Sequence, residues 1–315
     1  MPERLFIFIQ MEFPWALGPP DGRYLLRAGP DADPGHVVVL GTLGSGSVVS
    51  ARRRAAAGGR PSFVARRRAR ERPATPEPAE VLTTRVTVID PISLSTEQQA
   101  RAWLDELDRD RDVQAAVAVI NSVQHMHRIA SADPYIHEVS PGQALVIRAG
   151  WGEGKQVADG RWLHALELPW TGPRHSRPPA GSRRRPGGDR SAALRPSERL
   201  AALLGGRGTS LLCEELALRT RLDLDHGRIA HAALELQQAY AAAMPELRAE
   251  GRHDLALRVA ELEQLHAGVL AQARAALPDA DAEQAGEPDE EIIAHALGRL
   301  EAALRARSAA GFSLQ

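Results

Sequence analysis

Leu5–Phe13 carries apolar side chains on both alternating faces, with Leu5, Ile7, Ile9 and Met11 on one and Phe6 and Phe8 on the other. A short run of this kind, rich in isoleucine and phenylalanine and stopped by Pro14, predicts a strand buried on both sides. Gly18-Pro19-Pro20-Asp21-Gly22 is a turn by its own chemistry, since proline fixes φ and glycine admits positive φ. Residues 23–27 then predict a second strand pairing back on the first, and the β-branched run 36–40 a third, as an antiparallel meander. Residues 84–90 alternate as a strand that Pro91 ends. Ser95-Thr96-Glu97-Gln98 has the form of a capping box and opens a helix through Ala102, Leu104 and Leu107. Asp112 opens a second helix. Its apolar face is Val113, Ala116, Val117, Ile120, Val123 and Met126, with Gln114, Asn121, His125 and Arg128 opposite. Residues 144–148 and 161–168 supply two more strands.

Two stretches break this pattern. Residues 44–79 hold Arg52-Arg53-Arg54, Gly58-Gly59 and Arg66-Arg67-Arg68, followed by Pro73, Pro76 and Pro78. They bury too little apolar area to offset ordering entropy, which predicts a disordered insertion. Residues 169–196 are rich in proline, glycine and arginine without periodicity, and predict a linker. Beyond it the chain turns helical: Ser197 caps a helix ended by Gly205-Gly206, and further helices are expected at 211–222, 226–244, 255–277 and 290–307. The expected fold class is α+β: a domain over 1–168 with an antiparallel sheet and two helices, then an all-α domain of helical hairpins over 197–308.

Gly227 to Leu236 and Gly251 to Ala260 are similar to one another, each a glycine turn followed by alanine and leucine on one face. The segment resembles the second helix of a tetratricopeptide repeat, a family whose helices stack into peptide-binding surfaces. The two copies lie 24 residues apart (251 − 227), against about 34 in that family, and its aromatic signature is missing. Helical hairpins are therefore expected, and a repeat array is not.

Composition narrows the function classes. Apolar residues make up 43% of the chain and aromatic residues 4%, so alanine and leucine carry the core. A net charge of −1 makes no global statement about nucleic acid or membrane. One cysteine, Cys213, excludes an intrachain disulfide and a cysteine-built zinc site. No stretch reaches the roughly 18 apolar residues of a membrane span, and the N-terminal apolar run is short for a signal peptide. The reading is a cytoplasmic protein.

Candidate chemistry concentrates between Ser122 and Glu167. Gly150-Trp151-Gly152-Glu153-Gly154-Lys155-Gln156 holds the only lysine and has the outline of a phosphate loop. Gln156 stands where a magnesium-binding hydroxyl is needed, and Asp159-Gly160 signals a turn where a helix is needed, so a hairpin or surface loop is expected. His125 and His127, two apart on a helix, diverge, which argues against a metal pair. No nucleophile elbow occurs, and the acidic pair Glu214/Glu215 reads as a solvated helix face. Tyr135, His137, Trp151, Lys155, Asp159 and Trp162 remain as a candidate ligand or contact surface, and Arg52, Arg53, Arg54, Arg66, Arg67 and Arg68 as candidate anion-binding residues. The expectation is a non-catalytic binding or scaffold protein, without cofactor or metal, that meets a protein partner through its helical domain. Nucleic acid held by the arginine runs, and a small-ligand or enzyme site around 135–162, are the alternatives.

Overall fold

The computed structural model describes residues 4–43, 82–170, 190–277 and 287–310. The expected insertion at 44–79 and most of the expected linker, 171–189, lie outside the described residues. Six strands form one antiparallel sheet: β1 (Leu5–Phe13), β2 (Gly22–Arg27), β3 (Pro34–Leu43), β4 (Thr83–Ile89), β5 (Val146–Glu153) and β6 (His164–Glu167). Their order is β2-β3-β4-β1-β5-β6. The strand that is apolar on both faces takes an inner place. Phe8 of β1 stands opposite Ile89 and Gly150, and Met11 opposite Val86 and Ile147. The expected meander is corrected here, because β2 pairs with β3 and not with β1. None of the six β2 residues is fully buried, which suits an edge position.

Helix α1 (Glu97–Asp105) is capped by Thr96, whose hydroxyl accepts from the Gln99 N–H at 3.3 Å, while Gln99 Oε1 accepts from the Ser95 N–H at 3.0 Å. The reciprocal cap thus sits one residue later than the Ser95–Gln98 spacing predicts. Helix α2 (Arg109–Ser131) starts before Asp112 for a similar reason. Asp108 accepts from the Arg111 N–H at 3.1 Å, and Asp112 accepts from the Asp108 N–H at 3.1 Å. Val113, Ala116, Val117, Ile120 and Val123 are its buried stripe, as the periodicity predicts.

Of the expected hairpin or surface loop, the antiparallel pair is what forms at the glycine-rich stretch. β5 runs straight through Gly150 and Gly152 to Glu153, followed by the single-turn helix α3 (Gly154–Ala158), the Asp159-Gly160 turn and β6. A Cβ on Gly150 would stand 2.2 Å from the His164 carbonyl oxygen, so glycine is what lets β6 lie against β5 there. One side of the sheet packs Phe8, Ile89 and Val157 with Trp162; the other joins Leu5 and Trp151 to Ala100 of α1.

The helical part comprises α4 (Arg190–Leu204), α5 (Leu212–Asp225), α6 (Ile229–Ala249), α7 (His253–Ala275) and α8 (Glu290–Ala310). Helix α4 begins ahead of the expected cap Ser197 and carries Pro196 inside it, and α6 continues through Pro245. Gly227 (φ +68°) and Gly251 (φ +63°) turn the chain after α5 and α6 in the left-handed region that costs a glycine nothing. Glu246, one residue past Pro245, accepts from the Leu212 and Cys213 N–H groups at 2.9 and 3.0 Å and so caps α5 from another helix. Consecutive helices pack as hairpins around Leu236, Tyr240, Leu247, Leu255, Leu262, Ile293 and Leu297. The buried Tyr240 hydroxyl donates to the Ala296 carbonyl at 2.8 Å. Cys213 is fully buried, and burial pushes its thiol far above the usual range.

The chain divides into two compact units. A sheet unit takes the strands with Ala32–Ser122 and the chain from Val139 through β6; a helical unit takes Gly29–Asp31, Val123–Glu138 and α4 onward. The α+β layout followed by an all-helical part is thus the observed architecture. No helix among the described residues is long and apolar enough to cross a membrane.

Candidate functional site

The six residues expected to form a contact surface fall in two places. Trp151, Lys155, Asp159 and Trp162 belong to the sheet unit, Tyr135 and His137 to the helical unit. Trp151 is 3% exposed and stacks on His164 at 4.5 Å between centroids, so it is a core residue. Lys155 is exposed on α3, and Asp159 pairs with Arg23 at 3.0 Å and Arg161 at 3.4 Å instead of with that lysine. Trp162 is half-buried, 6.1 Å from the Phe8 ring and 5.7 Å above the Arg148 guanidinium. Arg52, Arg53, Arg54, Arg66, Arg67 and Arg68 lie outside the described residues.

Of these candidates, His137 opens onto a cleft of about 460 Å³ in the helical unit. Three segments build it. The second half of α2 contributes Gln124, His125 and Arg128, which share a side because Arg128 lies four residues from Gln124 and three from His125, spacings that lie close on a helix. Helix α5 contributes Glu215 and Arg219, again four apart. The chain after α2 contributes Ile136, His137 and Glu138. Ala132, at φ +49°, ends α2, and Asp133 accepts from the Tyr135 N–H at 3.0 Å to turn the chain. The Tyr135 hydroxyl donates to Asp225 at 2.7 Å and pins this segment against the end of α5. Tyr135 therefore positions the wall that carries His137.

The floor is an ion cluster. Glu215 Oε1 accepts from Arg128 Nη1 at 2.8 Å and from Arg219 Nε at 3.0 Å, and Glu215 Oε2 lies 3.7 Å from His125 Nδ1. The bond to Glu215 raises the Arg219 pKa. His137 is pushed below its usual range, first by burial, then by the nearby Arg128 charge, with Asp133 opposing. Gln124 is 3% exposed. Three buried polar atoms around this one cavity lack a hydrogen-bond partner among the described residues: Gln124 Oε1, Arg128 Nε and Glu215 Oε2. Each such atom costs about 1–3 kcal/mol while unpaired. Arg128 Nε calls for an acceptor, and the two oxygens call for donors.

Glu214 and Glu215 are not the solvated face that their spacing suggests. Glu214 is 4% exposed and pairs with Arg199 and, at 3.5 Å, with Arg307, while also accepting from the Leu211 N–H at 3.0 Å. Arg199 in turn donates to the Ile129 carbonyl at 3.0 Å. The adjacent carboxylates thus serve different tasks, one sealed in a structural cluster and one at the floor of the cleft. Sequence reasoning placed His125 and Arg128 on a polar helix face but did not join them to Glu215, since 87 residues separate Arg128 from its partner. The available signal was a pair of four-residue spacings, Gln124/Arg128 and Glu215/Arg219, each on a helix otherwise dominated by apolar positions.

Among the described residues, no group of three or more histidine, cysteine, aspartate or glutamate side chains is placed to hold a metal ion. In comparisons with known proteins the chain matches no family model, no curated protein and no solved structure.

Proposed function

We propose that the chain is a non-catalytic binding protein that holds a protein partner through its helical unit. The supporting observation is the cleft, three of whose lining residues carry a buried polar atom without a partner among the described residues. Its volume falls within the roughly 300–1,000 Å³ of ligand pockets. The described lining residues are histidine, arginine, glutamate, glutamine and isoleucine, side chains suited to hold a polar group. The hairpin packing of α5 to α8 gives this cleft a rigid support, which keeps the ordering cost of binding low.

The test is site-directed crosslinking in the full chain. A photo-crosslinking amino acid at position 219, on the rim, is expected to capture a discrete protein partner, and the same group at position 23, in the sheet unit, is not. No adduct at position 219, or the same adducts from both positions, overturns the reading.

A further inference from the structure

We infer that the cleft of the helical unit binds a carboxylate group, taken on the Nε–Nη2 edge of the Arg128 guanidinium, with Gln124 and His137 flanking it. This deepens the binding reading above and rests on it. The carboxylate would be either the end of a partner chain or a free carboxylic acid.

Arg128 commits Nη1 to Glu215, and its Nε is buried without a partner among the described residues. In a guanidinium, Nε–H and Nη2 share the edge opposite to Nη1. That edge presents two parallel donors and matches the two oxygens of a carboxylate. Charge points the same way. Arg219 is exposed at the rim beside the likewise exposed Glu138, so Arg128 is the one largely buried guanidinium among the described lining residues. A single largely buried cation suits a monoanion better than a phosphate dianion.

The other open atoms are compatible with such a ligand. The Gln124 carboxamide offers an oxygen on one side and an N–H on the other, and turning it gives the ligand a second donor. Glu215 Oε2, 3.7 Å from His125 Nδ1, is itself an acceptor and takes no part in holding a carboxylate.

The site should bind a proton together with the carboxylate. His137 faces Arg128, Asp133 and His226, and shares the cleft with His125, Glu138, Glu215 and Arg219. Burial and Arg128 lower its pKa and so favour the neutral ring when the cleft is empty. A bound carboxylate offsets the Arg128 charge and favours the imidazolium. The bound pKa then lies above the free one, and between the two affinity rises as pH falls, by at most about tenfold per pH unit.

The experiment follows the His137 ring by nuclear magnetic resonance in the full chain. Four probes are titrated: acetate, N-acetyl-tetraalanine with a free carboxyl, its C-terminal amide, and inorganic phosphate. A carboxylate probe is expected to bind below about 10 mM, at least about tenfold more tightly than the amide, and to raise the His137 pKa. Arg128→Lys, which keeps the charge and loses the fork, should weaken acetate or the peptide acid about tenfold. His137→Gln, followed at the Gln124 side-chain amide, should bind either with little pH dependence, which keeps the test open if the Arg128 variant fails to fold. Acid and amide bound alike remove the carboxylate inference and leave a peptide partner standing. Acetate bound as tightly as the peptide acid upholds the inference and counts against the protein partner. Phosphate bound more tightly than acetate, or no response of His137 to any carboxylate probe, overturns the inference.

Discussion

In the sheet unit Glu12 Oε1 accepts from Arg85 at 3.3 Å and from Arg148 at 2.9 Å; in the helical unit Glu215 Oε1 accepts from Arg128 at 2.8 Å and from Arg219 at 3.0 Å. The local chemistry is nearly the same, two guanidiniums on one carboxylate oxygen. The surroundings differ. Glu12 sits on the central strand, with one arginine from β4 and one from β5, so its cluster laces three neighbouring strands, and Trp162 lies over Arg148. The Glu215 cluster stands at the floor of a cleft beside two histidines and leaves donors and acceptors open. An arginine–carboxylate cluster is thus structural or receptive according to what fills the space beside it.

A third carboxylate marks the sealed extreme. Glu214→Ala leaves Arg199 and Arg307 without their buried partner and should cost about 3–5 kcal/mol, read as a lowered urea midpoint of the full chain. Glu12→Gln, in the less buried sheet cluster, should cost about 1–3 kcal/mol and leave acetate binding unchanged. If Glu12→Gln weakens acetate binding as much as Arg128→Lys does, the division between a structural and a receptive cluster is wrong.

The next effect is one of pH. His137 is held below its ordinary value of about 6.5, so the unfolded chain takes up its proton first as pH falls. Its contribution to stability is therefore complete above about 6.5 and is lost downward from there toward the folded value. Urea unfolding from pH 7.5 to 5 should show this slope flattened in His137→Gln. An unchanged slope would place the titration elsewhere. The smallest effect is expected at Trp162. Trp162→Phe keeps a ring against Phe8 and weakens the contact with Arg148, at a cost of about 0.5 kcal/mol in the same assay.

Much of the architecture was legible because it rests on local periodicity. The two-faced apolar run of β1, the stripe of α2 and the glycine stops at Gly227 and Gly251 need no knowledge of distant partners. Strand order was not legible: β2 was expected beside β1 because they are neighbours in the chain, yet β4 and β5 supply the apolar cross-strand partners that a doubly buried strand requires. The glycines of β5 misled for a related reason. They read as a loop by composition, and only the closeness of β6 shows that the missing side chains make room for another strand. The site was half legible. His137, His125 and Arg128 were visible as polar residues, but Glu215 acquires its role from a helix far along the chain. A charge at helical spacing looks the same in sequence whether solvent or another guanidinium meets it.

The cap that Glu246 places on α5 has a kinetic consequence. The first amides of a helix ordinarily exchange with solvent as soon as the end frays. Those of Leu212 and Cys213 are held by a carboxylate on α6, just beyond Pro245. Their hydrogen exchange therefore reports the opening of the last turns of α6 as well as of their own helix. The end of α6 thus leaves its signature in the exchange of two amides more than thirty residues earlier.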